Sequence, residues 1–162
     1  MKIRISRLPG SLAEFSAMPQ MDLSVPQNTC VLFLCALNLY IKDRDAGIEA
    51  LNLLRGPRPL SPYDIQFLRD RLREKSYLPL AYFDGANPGN NYTPSEPLVL
   101  EVLEDSSSRP QQPGYLRLFL RTAGADSPRP LTLRRKGDTW CLWEYSSILS
   151  GIRIPAAQDP WA

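Results

Sequence analysis

The spacing of the apolar residues changes once along this chain, across residues 76–97. Before that interval, apolar residues recur at steps of three and four, as in Ile65, Leu68 and Leu72, which is typical of one face of an α-helix. After it they alternate with other residues, as in 115–121, which is typical of β-strands. Helices followed by antiparallel strands predict an α+β domain whose helices pack on one face of a sheet.

Three main helices are expected in the first half of the chain. The first, from Pro26 to Ile41, is apolar on most sides and therefore buried. The second runs from Asp43 to Leu54 and stops at Gly56. The third begins at Ser61, a hydroxyl N-cap that is followed by a proline, and continues to Lys75. A short helix is also expected near Leu12.

Four antiparallel strands are expected in the second half. Their predicted positions are 98–103, 115–121, 131–134 and 139–145. The loop 106–114 is predicted to be a flexible hairpin connection, and the loop 123–130 a more rigid one because of its prolines.

The length of 162 residues fits one domain with a single core. Its predicted parts are an arm with a short helix (1–25), a helical part (26–75), a long irregular loop (76–97), the sheet (98–145) and a tail (146–162). Long loops inside compact domains are disproportionately functional, so the loop is a candidate location for a site.

The composition excludes several classes of function. The chain contains no histidine, which excludes Ser-His-Asp and Cys-His catalysis and histidine-ligated metals. No phosphate loop, nucleotide fingerprint or metal-ligand cluster occurs in the sequence, so we expect neither a cofactor nor a metal. A formal charge of +2 is too small to indicate nucleic-acid binding.

The sequence also carries expectations about location. Its longest apolar run, 30–40, is interrupted by Asn38 and is too short to span a membrane. The opening MKIRISRLPGSLAEF lacks the apolar core of a signal peptide, so we expect a cytoplasmic protein without membrane partners. Three cysteines cannot all pair and are expected to be reduced and buried.

The segment 139–149, TWCLWEYSSIL, places a carboxylate among aromatic residues. The pair 137–138, Gly-Asp, suits a two-residue hairpin turn, and counting through it predicts that Leu131 opposes Glu144. The other predicted pairs are Leu133 with Leu142, Arg134 with Cys141 and Arg135 with Trp140. This register puts Glu144 on the face of the leucines, as a candidate pocket carboxylate. The alternative is that the strand frays at Trp143, and Glu144 meets water or an arginine at the end of the sheet.

The same register predicts an aromatic patch on the other face of the sheet. Its members are Tyr115, Phe119, Trp143 and Tyr145. An exposed apolar patch of this size needs cover, either from the tail 152–161 or from a second subunit. We expect a homodimer through this face.

Two further sets of residues are candidates for ligand binding. Asp126 and Arg129, in a proline-constrained loop, could form an anion or peptide site with Arg58, or they could simply shape a turn. Amides and phenols supply the oriented polar groups of ligand pockets, and four of them lie in or near the long loop. These are Tyr82, Asn90, Asn91 and Tyr92.

Four stretches carry a resemblance to known proteins: GPRPLSPYDIQFLRDRL, YFDGANPGNNYTPSEP, GADSPRP and DPWA. They resemble a bacterial family of uncharacterised proteins, a domain of unknown function that covers nearly the whole chain. The order of three helices and then a curved four-stranded sheet also resembles the nuclear transport factor two-like, or cystatin-like, roll. That resemblance implies a pocket, because the roll includes ligand-binding proteins, dimerisation domains, isomerases and dehydratases.

These observations favour a non-catalytic module that binds a small molecule or a protein, or that serves in assembly. The alternative is a histidine-free lyase or isomerase in which Glu144 or Asp126 acts with a tyrosine of the loop. A third possibility is a partner-binding module that uses the arginine-rich helix 64–75.

Overall fold

The computed structural model describes residues 1–107 and 110–162. The helices are α1 (Leu12–Ser16), α2 (Pro26–Lys42), α3 (Arg44–Arg55) and α4 (Pro62–Leu72). The strands are β1 (Lys2–Ile5), β2 (Leu98–Glu104), β3 (Tyr115–Leu120), β4 (Arg129–Lys136) and β5 (Thr139–Glu144). They form one curled antiparallel sheet in the order β1-β2-β3-β4-β5, with the helices packed against it. The predicted α+β class is confirmed.

Local capping explains why α3 and α4 begin where the sequence predicts. The hydroxyl of Ser61 accepts a hydrogen bond from the amide of Asp64, whose carboxylate accepts one from the amide of Ser61. Asp43 ends α2 and caps α3, because its carboxylate accepts the amide of Ala46 at 3.2 Å. Helix α4, the third of the three main helices predicted from the sequence, ends at Leu72, three residues before the predicted Lys75.

Helix α2 forms the centre of the core. All residues from Thr29 to Tyr40 are buried, because α2 lies between α3 and the sheet. A single residue joins α2 to α3, so the two helices meet in a tight corner. Gly47 of α3 lies against the backbone of Tyr40 there, at a point with no room for a side chain.

The prediction of four strands was wrong by one. Strand β1 pairs with β2 at the edge of the sheet, with Ile3 opposite Leu100 and Ile5 opposite Leu98. Its sequence, KIRI, has the alternation of a half-buried strand, with Ile3 and Ile5 buried between exposed Lys2 and Arg4. A run of four residues is short for an isolated strand signal, and its pairing partner lies almost a hundred residues away.

The hairpin of β4 and β5 departs from the predicted register at one point. The pairs Leu133–Leu142, Arg134–Cys141 and Arg135–Trp140 are confirmed. The predicted pair of Leu131 with Glu144 is wrong, because Glu144 lies opposite Thr132 instead. Trp143 is an extra residue in β5, which makes this a β-bulge.

The bulge reverses the expected orientation of the residues that follow it. Tyr145 was predicted to share a face with Trp143, but it is buried on the helix side, with its ring 5.4 Å from that of Phe33. Glu144 is exposed and does not face the leucines, which agrees with the predicted alternative in which it meets water at the end of the sheet. Trp143 lies half-buried on the outer face of the sheet.

The connection 76–97 is irregular, as predicted, but it is packed rather than loose. It contains two short 3-10 turns, Leu78–Tyr82 and Pro88–Asn90. Tyr82, Phe83 and Tyr92 are buried, and the amide of Asp84 donates to the carbonyl of Val99 at 2.8 Å. The hairpin loop predicted over 106–114 includes residues 108 and 109, which lie outside the described residues.

Candidate functional site

Trp143 stands at the junction of three clefts on the outer surface. Its indole lies on the outer face of the sheet, where the ring meets that of Tyr115 edge-on at 5.9 Å. The guanidinium carbon of Arg134 lies 4.6 Å from the centre of the indole, and that of Arg58 lies 4.9 Å from it. Both arginines are close enough for cation–π attraction, so two positive charges lie beside the ring of Trp143.

The first of these clefts, here called the basic cleft, has a volume of about 330 Å³. Its walls are the end of α3 with the segment that follows it, and the hairpin of β4 and β5. The residues that line it are Arg55, Pro57, Arg58, Arg134, Arg135, Lys136, Cys141 and Trp143.

The charges in the basic cleft are not balanced. Across residues 1–107 and 110–162, no carboxylate oxygen lies within 4.0 Å of the charged nitrogens of Arg58, Arg134, Arg135 or Lys136. Arg135 donates instead to the carbonyl of Gly137 at 3.0 Å. Four cations without a counter-charge raise the positive potential of a concave surface, which favours anions.

Arg55 joins the two walls of the basic cleft. Only 5% of its side chain is exposed. Its Nε donates to the carbonyl of Arg58 at 3.0 Å, and its Nη1 donates to the carbonyl of Trp143 at 3.2 Å. Its Nη2 lies 3.7 Å from Oδ2 of Asp64. Arg55 is therefore a positioning residue: it holds the segment that carries Arg58 and the strand that carries Trp143 at a fixed separation.

Gly56 allows the segment after α3 to approach the sheet. Its φ is +64°, and a Cβ atom there would lie 2.8 Å from Sγ of Cys141. Glycine adopts this backbone conformation without steric cost. The far end of the segment is fixed by Asn52, whose side-chain oxygen accepts the amide of Leu60 at 2.8 Å. The backbone that carries Arg58 is thus held at both ends.

A second cleft, here called the aromatic cleft, lies on the other side of Arg58 and Trp143 and has a volume of about 340 Å³. It is lined by Arg55, Arg58, Tyr63, Asp64, Phe67, Trp143, Glu144, Tyr145 and Ser146. Burial raises the pKa of Tyr145 to about 12, so this phenol is neutral at physiological pH.

The two carboxylates predicted as catalytic candidates lie apart, and both are exposed. Glu144 accepts a hydrogen bond from the amide of Ser146 at 2.8 Å. Asp126 forms an ion pair with Arg153 of the tail. The site predicted from Asp126, Arg129 and Arg58 is not assembled by any direct bond, because Arg129 donates to the carbonyl of Gly151 and Arg58 stacks on Trp143.

The four candidates of the long loop form bonds within the chain. The buried phenols of Tyr82 and Tyr92 donate to the carbonyls of Ile148 and Arg153, each at 2.6 Å. Burial also raises the pKa of Tyr82. Asn90 shapes its own turn, and the side-chain oxygen of Asn91 accepts the amide of Ala157 at 2.8 Å. Tyr82, Tyr92 and Asn91 thus tie the loop to the C-terminal tail, and Asn90 bonds within the loop.

The structure brings three of the four predicted interface residues to the outer face and not the fourth. Tyr115, Phe119 and Trp143 are half-buried there. The guanidinium carbon of Arg134 lies 5.1 Å from the ring centre of Tyr115, and that of Arg117 lies 5.6 Å from that of Phe119. The aromatic patch is therefore partly covered by arginines of its own chain.

The basic cleft was not predicted from the sequence. Arg58 was a candidate for an anion site with Asp126 and Arg129, and Trp143 was a candidate for a dimer interface. The signal available was the run Arg134-Arg135-Lys136 beside the hairpin turn. Such a run is usually a solvated strand end, and nothing local shows that Arg58 faces it.

Two kinds of feature are absent from the described part of the chain. Within residues 1–107 and 110–162, no group of three or more Cys, Asp or Glu side chains is arranged to hold a metal ion. None of the helices in those ranges has the length and hydropathy needed to cross a membrane.

Comparison with known proteins identifies a family for this chain. No curated protein and no solved structure matched the chain. A family model described as "Domain of unknown function (DUF6935)" matches residues 7–156, which contain every residue of both clefts. The chain therefore belongs to this family, DUF6935.

Proposed function

We propose that this protein is a non-catalytic binding module whose basic cleft binds an anionic group of a ligand or partner. The observation that carries the proposal is the pair Arg58 and Arg134, which contact the indole of Trp143 at 4.9 Å and 4.6 Å and have no carboxylate partner among the described residues.

A guanidinium that lies over an aromatic ring keeps its hydrogen-bond donors for an anion. An aromatic ring attracts the flat face of arginine without neutralising it, and so leaves the N–H groups at its edge free to donate. Those groups match the spacing of carboxylate and phosphate oxygens and bind them in pairs. An anion in the cleft would also relieve the mutual repulsion of the four cations.

The positions of the two candidate carboxylates favour binding over catalysis. Glu144 and Asp126, the carboxylates proposed for a lyase or isomerase, are exposed and bonded within the chain.

The element order, helices on a curled antiparallel sheet, remains our reason to expect a roll of the cystatin-like kind. The three cysteines are free and buried, which supports a cytoplasmic location.

The direct test is a titration with pyrophosphate, followed through the fluorescence of Trp143. The change Arg134→Gln removes the charge and the guanidinium and leaves a shorter polar side chain. We expect it to weaken binding by about tenfold or more, because a hydrogen bond to a charged group is worth about 1.5–3 kcal/mol. Arg58→Gln should have a similar effect.

Two controls make this test specific. Arg44→Gln removes an exposed arginine at the opposite end of α3 and should leave the affinity unchanged. Trp140→Phe and Trp161→Phe together remove the signals of the other two tryptophans, neither of which lines either cleft, so that the remaining signal is that of Trp143. If pyrophosphate binds the Arg58, Arg134 and Arg44 variants equally, or does not bind at all, the proposal is wrong.

A second proposal concerns assembly, and a row of apolar side chains favours it. Phe119 lies opposite Leu103 on one side and Pro130 on the other, on the outer face of the sheet. Tyr115 lies on the same face of β3 with Arg117 between it and Phe119, and the row supports a homodimer through that face.

The assembly proposal predicts a change of mass. Phe119→Lys places a charge in the centre of the row and is expected to convert a dimer into a monomer, as measured by light scattering across a range of concentrations. Leu53→Lys is the control, because Leu53 is an exposed apolar residue on α3 rather than on the sheet. A wild-type mass of one chain at every concentration would exclude the dimer.

A further inference from the structure

The basic cleft and the aromatic cleft adjoin, because Arg55, Arg58 and Trp143 line both. We propose that the two clefts act as one groove and bind an extended acidic segment of a partner protein. The acidic residues of that segment lie in the basic cleft, and a large aromatic or aliphatic side chain lies beside Tyr63 and Phe67. This inference rests on the proposed function, since it requires that the basic cleft binds anions.

The size of the groove argues for an extended ligand. The two halves have volumes of about 330 Å³ and 340 Å³, and each is comparable to a small-molecule pocket. A single phosphate or carboxylate fills only part of one half. A chain that crosses the ridge formed by Arg58 and Trp143 contacts both halves at once.

The aromatic cleft supplies an apolar contact that a simple anion would not use. Tyr63 lies in the first turn of α4 and is 78% exposed. Phe67 follows four residues later, so both rings lie on the same side of the helix. Tyrosine at the edge of a cleft is typical of protein-binding sites, where its flat ring buries a large area at low entropic cost.

The charges of the groove indicate which part of the segment lies in which cleft. The basic cleft contains four cations without carboxylate partners among the described residues, whereas Asp64 and Glu144 line the aromatic cleft. An acidic residue in the aromatic cleft would meet these carboxylates. The partner's acidic block must therefore end where its apolar side chain begins.

The same division disfavours nucleic acid as the occupant. A nucleic-acid strand carries a phosphate at every nucleotide, so its charge would continue past Trp143 into the half that contains Asp64 and Glu144. A peptide can present negative charge over a few residues and stop. Charge complementarity therefore selects a peptide whose composition changes along its length.

The test uses two peptides that are blocked at both ends and labelled with the same dye. One contains three glutamates, a glycine and a phenylalanine, and the other has alanine in place of phenylalanine. Fluorescence anisotropy should show the phenylalanine peptide binding the wild-type protein about tenfold more tightly, because a buried aromatic anchor commonly contributes that much. Tyr63→Ala should abolish this difference, and Leu53→Ala, the exposed control on α3, should preserve it.

The outcomes separate this inference from the proposed function. Arg134→Gln should weaken both peptides by about tenfold or more. If pyrophosphate binding depends on Arg134 but the two peptides bind equally, the peptide inference is wrong and the proposed function stands. Tighter binding of single-stranded DNA than of either peptide would also overturn the inference. If pyrophosphate does not bind, or binds independently of Arg58 and Arg134, the proposed function itself fails.

Discussion

Replacing Gly47 by alanine is expected to lower the free energy of unfolding by about 3 kcal/mol, because a core position without room must then accept a side chain. The added Cβ would lie 2.2 Å from Cα of Tyr40, 2.4 Å from its Cβ and 2.5 Å from its nitrogen. Contacts with backbone atoms cannot be relieved by turning a side chain. Helices α2 and α3 would have to move apart at their shared corner.

The expected loss is net of an opposing effect. Alanine in a helix is favoured over glycine by about 1 kcal/mol, so a position with free space would be stabilised by the same change. The corner offers no slack, because Asp43 alone connects the two helices and caps the second. The displacement would also reach the end of α3, where Arg55 and Gly56 shape the basic cleft.

Urea denaturation and thermal melting both measure this effect. A loss of about 3 kcal/mol corresponds to a fall of about 10 °C in the melting temperature of a domain of this size. Gly10→Ala is the matched control, because a Cβ at Gly10 would meet only Oε2 of Glu14 at an ordinary 3.5 Å. Equal melting temperatures for the two variants would show that the corner tolerates a methyl group.

The helices could be predicted from the sequence because their signals are local. The capping box of Ser61 and Asp64 spans four residues, and Asp43 caps a helix that begins at the next position. The first four pairs of the last hairpin could also be predicted, since they follow by counting from the turn at 137–138. In each case the responsible contacts lie within a few residues of one another.

The bulge at Trp143 could not be predicted because distant contacts support it. The carbonyl of Trp143 accepts a hydrogen bond from Arg55, 88 residues earlier in the chain. Tyr145 packs against Phe33 of α2 and Phe67 of α4, which draws it to the helix side. Strand alternation carries none of this information, so counting placed Glu144 and Tyr145 on the wrong faces.

The candidate site was missed for the same reason. Arg58 was assigned to an anion site with partners that it does not contact, and Trp143 was assigned to a dimer interface. Their proximity depends on Gly56, which lets the segment after α3 approach Cys141 of β5. The sequence places Arg58 in a predicted anion site and Trp143 in a predicted aromatic patch, but only the tertiary fold shows that these two side chains are in contact.

Replacing Arg55 by methionine is expected to lower stability by about 2 to 4 kcal/mol and to weaken pyrophosphate binding together with it. Methionine keeps much of the apolar contact with Tyr145 but cannot donate to the carbonyls of Arg58 and Trp143. Breaking a buried charged contact on one side leaves its partners unsatisfied, which is more costly than replacing both. Because 24% of the Asp64 side chain is exposed, water can compensate part of that loss.

Arg55→Lys separates the structural effect of this residue from its effect on the site. Lysine keeps the positive charge near Asp64, but its single ammonium cannot reproduce the planar fork that joins both walls of the basic cleft. We expect Arg55→Lys to regain part of the stability, as measured in urea, while pyrophosphate affinity remains reduced. If Arg55→Lys restored affinity and stability in equal measure, the fork would be irrelevant and Arg55 would act only as a charge. If Arg55→Met weakened stability but left affinity unchanged, Arg58 and Trp143 would hold their positions without it, because the bulge and Gly56 would then suffice to align the two walls.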